Sequence, residues 1–321
     1  TSAQELVLKN GRTLSGHIVE EGPDYVLFSE SYGDSGSLSV RIQRQRISRI
    51  DRISELPPPI VYRDVRLKME FPGMNFYKRP PYSIVTDESF FSVEHTVRVL
   101  RDLYGKFLAV FGPLMEGLED QEKNIQLVFF SDETAYREYQ RKFAPQMDNS
   151  SGFYSPWIDR LIVFNQKSSE QIRHIQEILK KQEEYYRSFR GGGDYSAKVD
   201  AWKKEAQNNI ARFAEEQTMT SIRHEGAHQL LFTYGIHSPN RIENEWLVEG
   251  LAAYCEASSI GDYDPIRVAL LKKALADGTT IPLRTLVNFR NVQGLTTIGS
   301  PERAEMAYHE SWALVHWLMQ Y

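Results

Sequence analysis

The segment from His224 to His228 contains two histidines four residues apart, with Glu225 directly after the first. Residues four apart on a helix lie one turn apart on the same face, so both imidazoles can bind one metal ion. Zinc accepts histidine nitrogens at ~2.0–2.1 Å. Glu225 is offset by about 100° around such a helix, where its carboxylate can hold the attacking water as a general base. The spacing therefore predicts a zinc site that generates a nucleophile at neutral pH.

A catalytic zinc site needs a third protein ligand and keeps a fourth position open. Glu249 lies on the next predicted helix, after a short loop that would fold this helix back on the first. We therefore expect His224, His228 and Glu249 to be the metal ligands; the alternative is that Glu249 is a surface carboxylate. Glu256, two turns further on, is a candidate hydrogen-bond partner for a ligand histidine, and a solvent-facing side chain is its alternative.

The two histidines and the segment around Glu249 together carry a resemblance to a known family. The matching residues of that segment are Trp246, Leu247, Glu249, Gly250, Ala252 and Tyr254. The pattern resembles the zinc signature of gluzincin metallopeptidases of the peptidase-MA-like superfamily, and it is most similar to the membrane-alanyl-aminopeptidase-like branch and to bacterial peptidases. The resemblance implies one zinc ion, a zincin-like peptidase domain and a tyrosine that stabilises the oxyanion. Tyr308 matches that tyrosine, and His309 is the alternative.

One departure from the family pattern bears on the type of peptidase. Aminopeptidases of this branch carry a Gly-x-Met-Glu-Asn motif that binds the free amino terminus of the substrate. This chain has only Pro72-Gly73-Met74-Asn75, which is a fragment of that motif. The resemblance therefore favours an endopeptidase. We expect Leu161 to Phe164 to be the edge strand that pairs with extended substrate, with an ordinary sheet strand as the alternative.

The rest of the chain predicts an α+β protein with two domains. Short strands within residues 4–53 predict a small all-β barrel of SH3-like or Sm-like size over residues 1–55. A proline-rich stretch predicts an extended linker over residues 56–61. Residues 62–321 form the predicted peptidase domain, with a sheet-rich part at 62–166 and a helical part at 167–321.

Composition limits the partners and the compartment. The chain has 38 basic and 43 acidic residues, a net charge of -5, which argues against binding nucleic acid through bulk charge. The arginines between Arg41 and Arg52 are interpreted as a solvated strand face, and the alternative is a surface for nucleic acid or an acidic partner. No apolar run is long enough to span a bilayer.

The two ends of the sequence suggest processing and a longer native chain. The chain begins at Thr1 without a methionine, so we expect a removed leader and export to the periplasm or the extracellular space. The last predicted helix still runs at Tyr321, so we expect the native chain to continue.

Two functional hypotheses follow. The first is a zinc peptidase that acts on a peptide or protein substrate, with Glu225 as the base and Tyr308 as the oxyanion donor. The second is an inactive or structural zinc protein that acts as a binding or scaffold module through its N-terminal barrel. An intact Glu225 and a candidate Tyr308 favour the first hypothesis, because a degenerate site usually loses one of these residues.

Overall fold

The structure is a computed structural model, and it describes residues 3–9, 13–31, 37–52, 59–115, 124–144, 150–189, 193–238, 244–288 and 301–320. The fold is mixed α+β, with two separate sheets and a helical C-terminal half. This agrees with the predicted class and with the predicted change from sheet to helix near residue 167.

The N-terminal residues form an antiparallel sheet of five strands. The strands are β1 (Gln4–Leu8), β2 (Thr13–Glu21), β3 (Tyr25–Ser31), β4 (Ser37–Gln43) and β5 (Ile47–Arg52). Their order in the sheet is β4-β3-β2-β1-β5, and the core residues Leu6, Leu14, Val26 and Phe28 are fully buried. Pairing between β4 and β5 would close this sheet into a barrel, and no such pairing is present among the described residues. The SH3-like barrel therefore stays a prediction.

The arginine-rich stretch of this sheet is partly neutralised within the sheet. Arg44 forms an ion pair with Glu21, and Arg49 lies 2.7 Å from Asp51. These side chains are between 40% and 68% exposed, so they lie on the solvated face that the sequence indicated. Exposed ion pairs of this kind contribute little to stability.

The second sheet has a parallel centre and antiparallel edges. Its strands are β6 (Asn75–Arg79), β7 (Tyr82–Thr86), β8 (Ile125–Phe130), β9 (Gly152–Ser155) and β10 (Arg160–Phe164). The order is β6-β7-β8-β10-β9, in which β7, β8 and β10 are parallel while β6 and β9 run antiparallel to their neighbours. Helices cover both faces of the sheet, so every residue of its three central strands is buried.

Alternate residues of the central strands point into two different cores. In β10, Leu161 and Val163 pack with helices of the C-terminal half, whereas Ile162 and Phe164 pack with helices from before and within the sheet-rich part. This period of two is the ordinary consequence of strand geometry. It fixes which face of the sheet the candidate site can occupy.

Nine α-helices are present in the described residues. They are α1 (Pro59–Glu70), α2 (Phe90–Phe111), α3 (Glu133–Phe143), α4 (Glu170–Ser188), α5 (Gly193–Thr233), α6 (Glu245–Tyr254), α7 (Pro265–Asp277), α8 (Leu283–Leu286) and α9 (Pro301–Leu318). The sequence did not predict α1. Its first residue, Pro59, lies in the predicted linker, so the last three linker residues are helical rather than extended. Proline is well tolerated in the first turn of a helix, where its missing N–H would be unpaired anyway.

Helices α2, α5, α6 and α9 lie on one face of the second sheet and share its larger core with β7, β8 and β10. The smaller core on the opposite face is built with α1 and α3. None of the helices in the described ranges is both long enough and apolar enough to cross a bilayer. The candidate site therefore lies in the helical layer that covers the larger core.

Candidate metal centre

The predicted ligands His224, His228 and Glu249 converge in the structure. Nε2 of His224 lies 3.2 Å from Nε2 of His228 and 3.3 Å from Oε2 of Glu249, and the distance from His228 Nε2 to Glu249 Oε2 is 3.5 Å. Four ligands arranged tetrahedrally at ~2.0–2.1 Å from an ion lie ~3.3–3.4 Å from one another. The three donor atoms therefore fit one face of such a tetrahedron, and this group could hold a metal ion.

Two helices supply these ligands. α5 carries both histidines one turn apart, and α6 packs against it with Glu249 turned towards them. All three side chains are at most 16% exposed. Glu249 is thus not the surface carboxylate that the alternative interpretation required. A buried carboxylate and two buried imidazoles are costly unless they are paired or bind a cation.

Gly250, directly after Glu249, sets the distance between α6 and α9. A Cβ atom at this position would lie 2.7 Å from the backbone oxygen of Ser311 and 2.7 Å from a methyl group of Val315. Only a residue without a side chain therefore allows this approach. The close contact brings Tyr308, one turn before Ser311 on α9, to the same region as Glu249.

Glu256 contacts His224 through the ring nitrogen that does not face the other two ligands. Its Oε1 lies 2.6 Å from Nδ1 of His224, and its Oε2 accepts a hydrogen bond from Arg267. Burial alone would lower the pKa of His224, but hydrogen bonds to Glu249 and Glu256 outweigh it and hold this pKa well above its ordinary value. Burial also raises the pKa of Glu256, and the bonds to His224 and Arg267 reverse this effect. Glu256 is therefore an ionised, buried partner of His224.

Arg267 connects this carboxylate to two further helix positions. It lies in the first turn of α7, with its Nε 3.3 Å from Asp264 and its Nη1 3.1 Å from Nδ1 of His309. Burial and the charge of Arg267 lower the pKa of His309. Arg267 can only donate, so Nδ1 of His309 accepts this bond and the proton of the neutral ring is on Nε2.

Glu225 contacts the edge strand of the second sheet. Its Oε2 accepts a hydrogen bond from the backbone N–H of Tyr154 on β9, at 2.8 Å. This N–H is directed at Glu225 rather than at β10, so the edge of β9 that pairs with no other described strand borders the candidate site. The prediction that Leu161 to Phe164 form the edge strand was wrong, because β10 lies between β8 and β9.

Two ionisable groups near the ligands have strongly shifted pKa values. The charge of Glu249, then burial, then the charges of Glu225, Glu245 and Glu256 raise the pKa of Tyr308, so its hydroxyl stays a hydrogen-bond donor. Burial and the charge of Glu249 raise the pKa of Glu245 to about 7. Both groups therefore belong to the electrostatic surroundings of the three ligands.

Sequence reasoning missed three parts of the site. Arg267 and the Tyr154 amide come from distant segments, and no local pattern marks either of them. Glu245 had a usable signal, because it lies four residues before Glu249 and must share its helix face.

Comparison with known families adds a match at the candidate site itself. Residues 218–321 match the family described as "Protein of unknown function (DUF1570)". The matched region includes all three candidate ligands, Glu225 and Tyr308, and it begins within α5. A search of curated proteins finds no match to the chain.

Proposed function

We propose that this protein is a zinc-dependent peptidase that hydrolyses peptide bonds, with a zincin-like domain over residues 62–321. The observation that carries the proposal is the tetrahedral spacing of His224, His228 and Glu249, beside which the carboxylate of Glu225 and the phenol of Tyr308 lie. Two imidazoles and one carboxylate are a common donor set of catalytic zinc. A zinc ion held there would supply a Lewis acid and lower the pKa of a coordinated water.

The chain's own residues supply the remaining chemistry. Glu225 takes a proton from the attacking water as its oxygen bonds to the scissile carbonyl carbon, and it delivers this proton to the leaving amine when the C–N bond breaks. Tyr308 donates a hydrogen bond to the oxyanion that forms meanwhile. The amide of Tyr154 holds one oxygen of Glu225, which fixes the orientation of the base.

The free edge of β9 is the proposed binding site for extended substrate. An added peptide strand would pair with the backbone groups of Gly152 and with the carbonyl of Tyr154, since the N–H of Tyr154 is held by Glu225. Gly152 is suited to this place, since a Cβ atom there would lie 2.8 Å from a methyl group of Val163 and 3.4 Å from Cγ of Glu225. Strand pairing along an open edge, together with the missing amino-terminus motif, favours an endopeptidase.

The test compares the zinc-loaded protein with its Glu225→Gln variant on a mixed peptide pool, with products identified by mass spectrometry. The variant should bind zinc as the wild type does and lose about 10²–10⁴-fold in hydrolysis rate, because the general base is gone. Glu216→Gln is the matched control on the same helix, since the Glu216 side chain is 68% exposed. Equal turnover in the Glu225 variant would refute the mechanism, and zinc binding without cleavage by the wild type would favour the binding or scaffold alternative.

A further inference from the structure

We infer that Glu245 forms a subsite for a positively charged group of the substrate, an ammonium or a guanidinium, beside the metal ligands. The inference rests on the proposed peptidase function and adds a substrate class to it. It follows from the position of Glu245, from its burial and from the balance of charge around it.

The position of Glu245 follows from helix geometry and from its electrostatic neighbours. It lies one turn before Glu249 on α6, so both carboxylates are on the same face of the helix. The charges that act on Glu245 are those of Glu249 and of His228 on α5, and Glu245 in turn acts on Tyr308 of α9. Glu245 is thus the first residue of α6, a helix that contacts both α5 and α9, whereas Glu256, which bonds to His224, lies beyond the other end of α6.

The burial of Glu245 is unusual for a carboxylate without a bonded partner. The residue is 9% exposed, and across the described ranges its side chain makes no hydrogen bond or ion pair. The other acids of the site all have partners: Glu225 bonds to an amide, Glu249 to both histidines, and Glu256 to His224 and Arg267. A buried charge without a partner is costly, and its raised pKa is the expected response.

The balance of charge identifies what Glu245 can bind. Arg267 balances Glu256, and a divalent ion would balance Glu225 and Glu249 together. Among the described residues, Glu245 is the one of these four carboxylates that has no bonded partner. An entering cation would pair with it in a partly desolvated site, where charge-assisted hydrogen bonds are strong. A neutral side chain of the same length would leave the carboxylate unpaired, which is how such a site discriminates between substrates.

The experiment uses zinc-loaded Glu225→Gln protein, so that peptides bind without being cleaved. Lysine is moved through each position of an alanine pentapeptide, and norleucine peptides of matched length serve as neutral analogues. Each peptide is made with a free and with an acetylated amino terminus, which separates a side-chain cation from a terminal amine. Dissociation constants are measured by competition against a fluorescent peptide. Added variants are Glu245→Gln, Glu245→Asp and, as the control, Glu216→Gln.

The inference predicts that a charge at one position, on the side chain or at the amino terminus, tightens binding about 10- to 100-fold over its neutral analogue. Glu245→Gln should reduce this advantage to less than threefold, whereas Glu245→Asp should keep part of it and Glu216→Gln all of it. If charged and neutral peptides bind equally well, or if Glu245→Gln keeps the full advantage, the subsite is refuted while the peptidase proposal stands. If no peptide binds the zinc-loaded variant and the wild type cleaves none, the peptidase proposal fails and the subsite fails with it.

Discussion

Glu256 lies 2.6 Å from Nδ1 of His224, on the opposite side of the imidazole from the nitrogen that faces Glu249. This contact fixes which ring nitrogen is available to a metal ion and holds the ring in place. The sequence allowed this role for Glu256 but gave equal weight to a solvent-facing side chain. The structure excludes the solvent-facing alternative, because the Glu256 side chain is 16% exposed.

Replacing Glu256 by Gln should weaken metal binding about 10- to 100-fold, because the amide is a poorer acceptor for the His224 N–H. Arg267→Leu should produce a smaller loss, since it releases the carboxylate of Glu256 without removing it. Metal dissociation constants from competition with a chelator give the measurement. Glu216→Gln should leave affinity unchanged, and equal affinity in all three variants would contradict the role of Glu256.

Tyr308→Phe should lower kcat/KM for peptide hydrolysis about 10²–10³-fold and leave the zinc content unchanged. The charge of Glu249 is the main cause of the raised pKa of Tyr308, so the phenol keeps its proton and can donate it in a hydrogen bond. Tyr263→Phe is the control, because Tyr263 is 61% exposed on the surface. A Tyr308→Phe enzyme with full activity would contradict this role, and His309 would then be the candidate hydrogen-bond donor to the oxyanion.

The elements were largely predictable because their patterns are local. The alternation of apolar side chains along strands and the helix cap at Asp132, whose side chain accepts hydrogen bonds from the N–H groups of Thr134 and Ala135, are short-range signals. The helix α1 was missed because proline is common in linkers and in first helical turns alike. The arrangement of the second sheet could not be predicted: β10 has the apolar sequence of any buried strand, and only the pairing of β9 makes it internal.

In the candidate site, too, the residues marked by local sequence patterns were predicted and those placed by tertiary contacts were not. His224, Glu225 and His228 follow from helix periodicity, and Glu249 follows from a short connection between two helices. Arg267 and the amide of Tyr154 reach the site through tertiary packing, and a backbone N–H has no side chain to mark it in the sequence. The missed parts are thus those that depend on contacts between distant segments.

Gly250→Ala should destabilise the protein by about 1–3 kcal/mol, because the new methyl group would collide with the backbone of Ser311. It should also lower peptidase activity by displacing Tyr308 from Glu249. Gly105→Ala is the opposite control: this glycine lies within α2 with open space around it, so alanine should stabilise the protein by up to about 1 kcal/mol. Denaturant unfolding of both variants measures these changes, and an equally stable Gly250→Ala protein would argue against tight packing of α6 on α9.

Without bound metal, Glu245 should make stability depend on pH. The pKa of Glu245 is raised from 4.5 to about 7 in the folded state. The stability that its protonated carboxyl group contributes is therefore fully present below pH 4.5 and is lost as the pH rises through 7. The free energy of unfolding of the metal-free wild type should therefore fall, relative to Glu245→Gln, by at most about 3 kcal/mol between pH 5 and pH 8. Denaturant unfolding of both proteins across this range tests the sign, and a constant difference would refute the raised pKa.

The most direct test of the account is X-ray anomalous scattering at the zinc absorption edge, from crystals grown with an equimolar amount of zinc. The account predicts one strong peak ~2.0–2.2 Å from Nε2 of His224, Nε2 of His228 and Oε2 of Glu249. The absence of a peak between these three atoms, with zinc bound elsewhere or not at all, would contradict it.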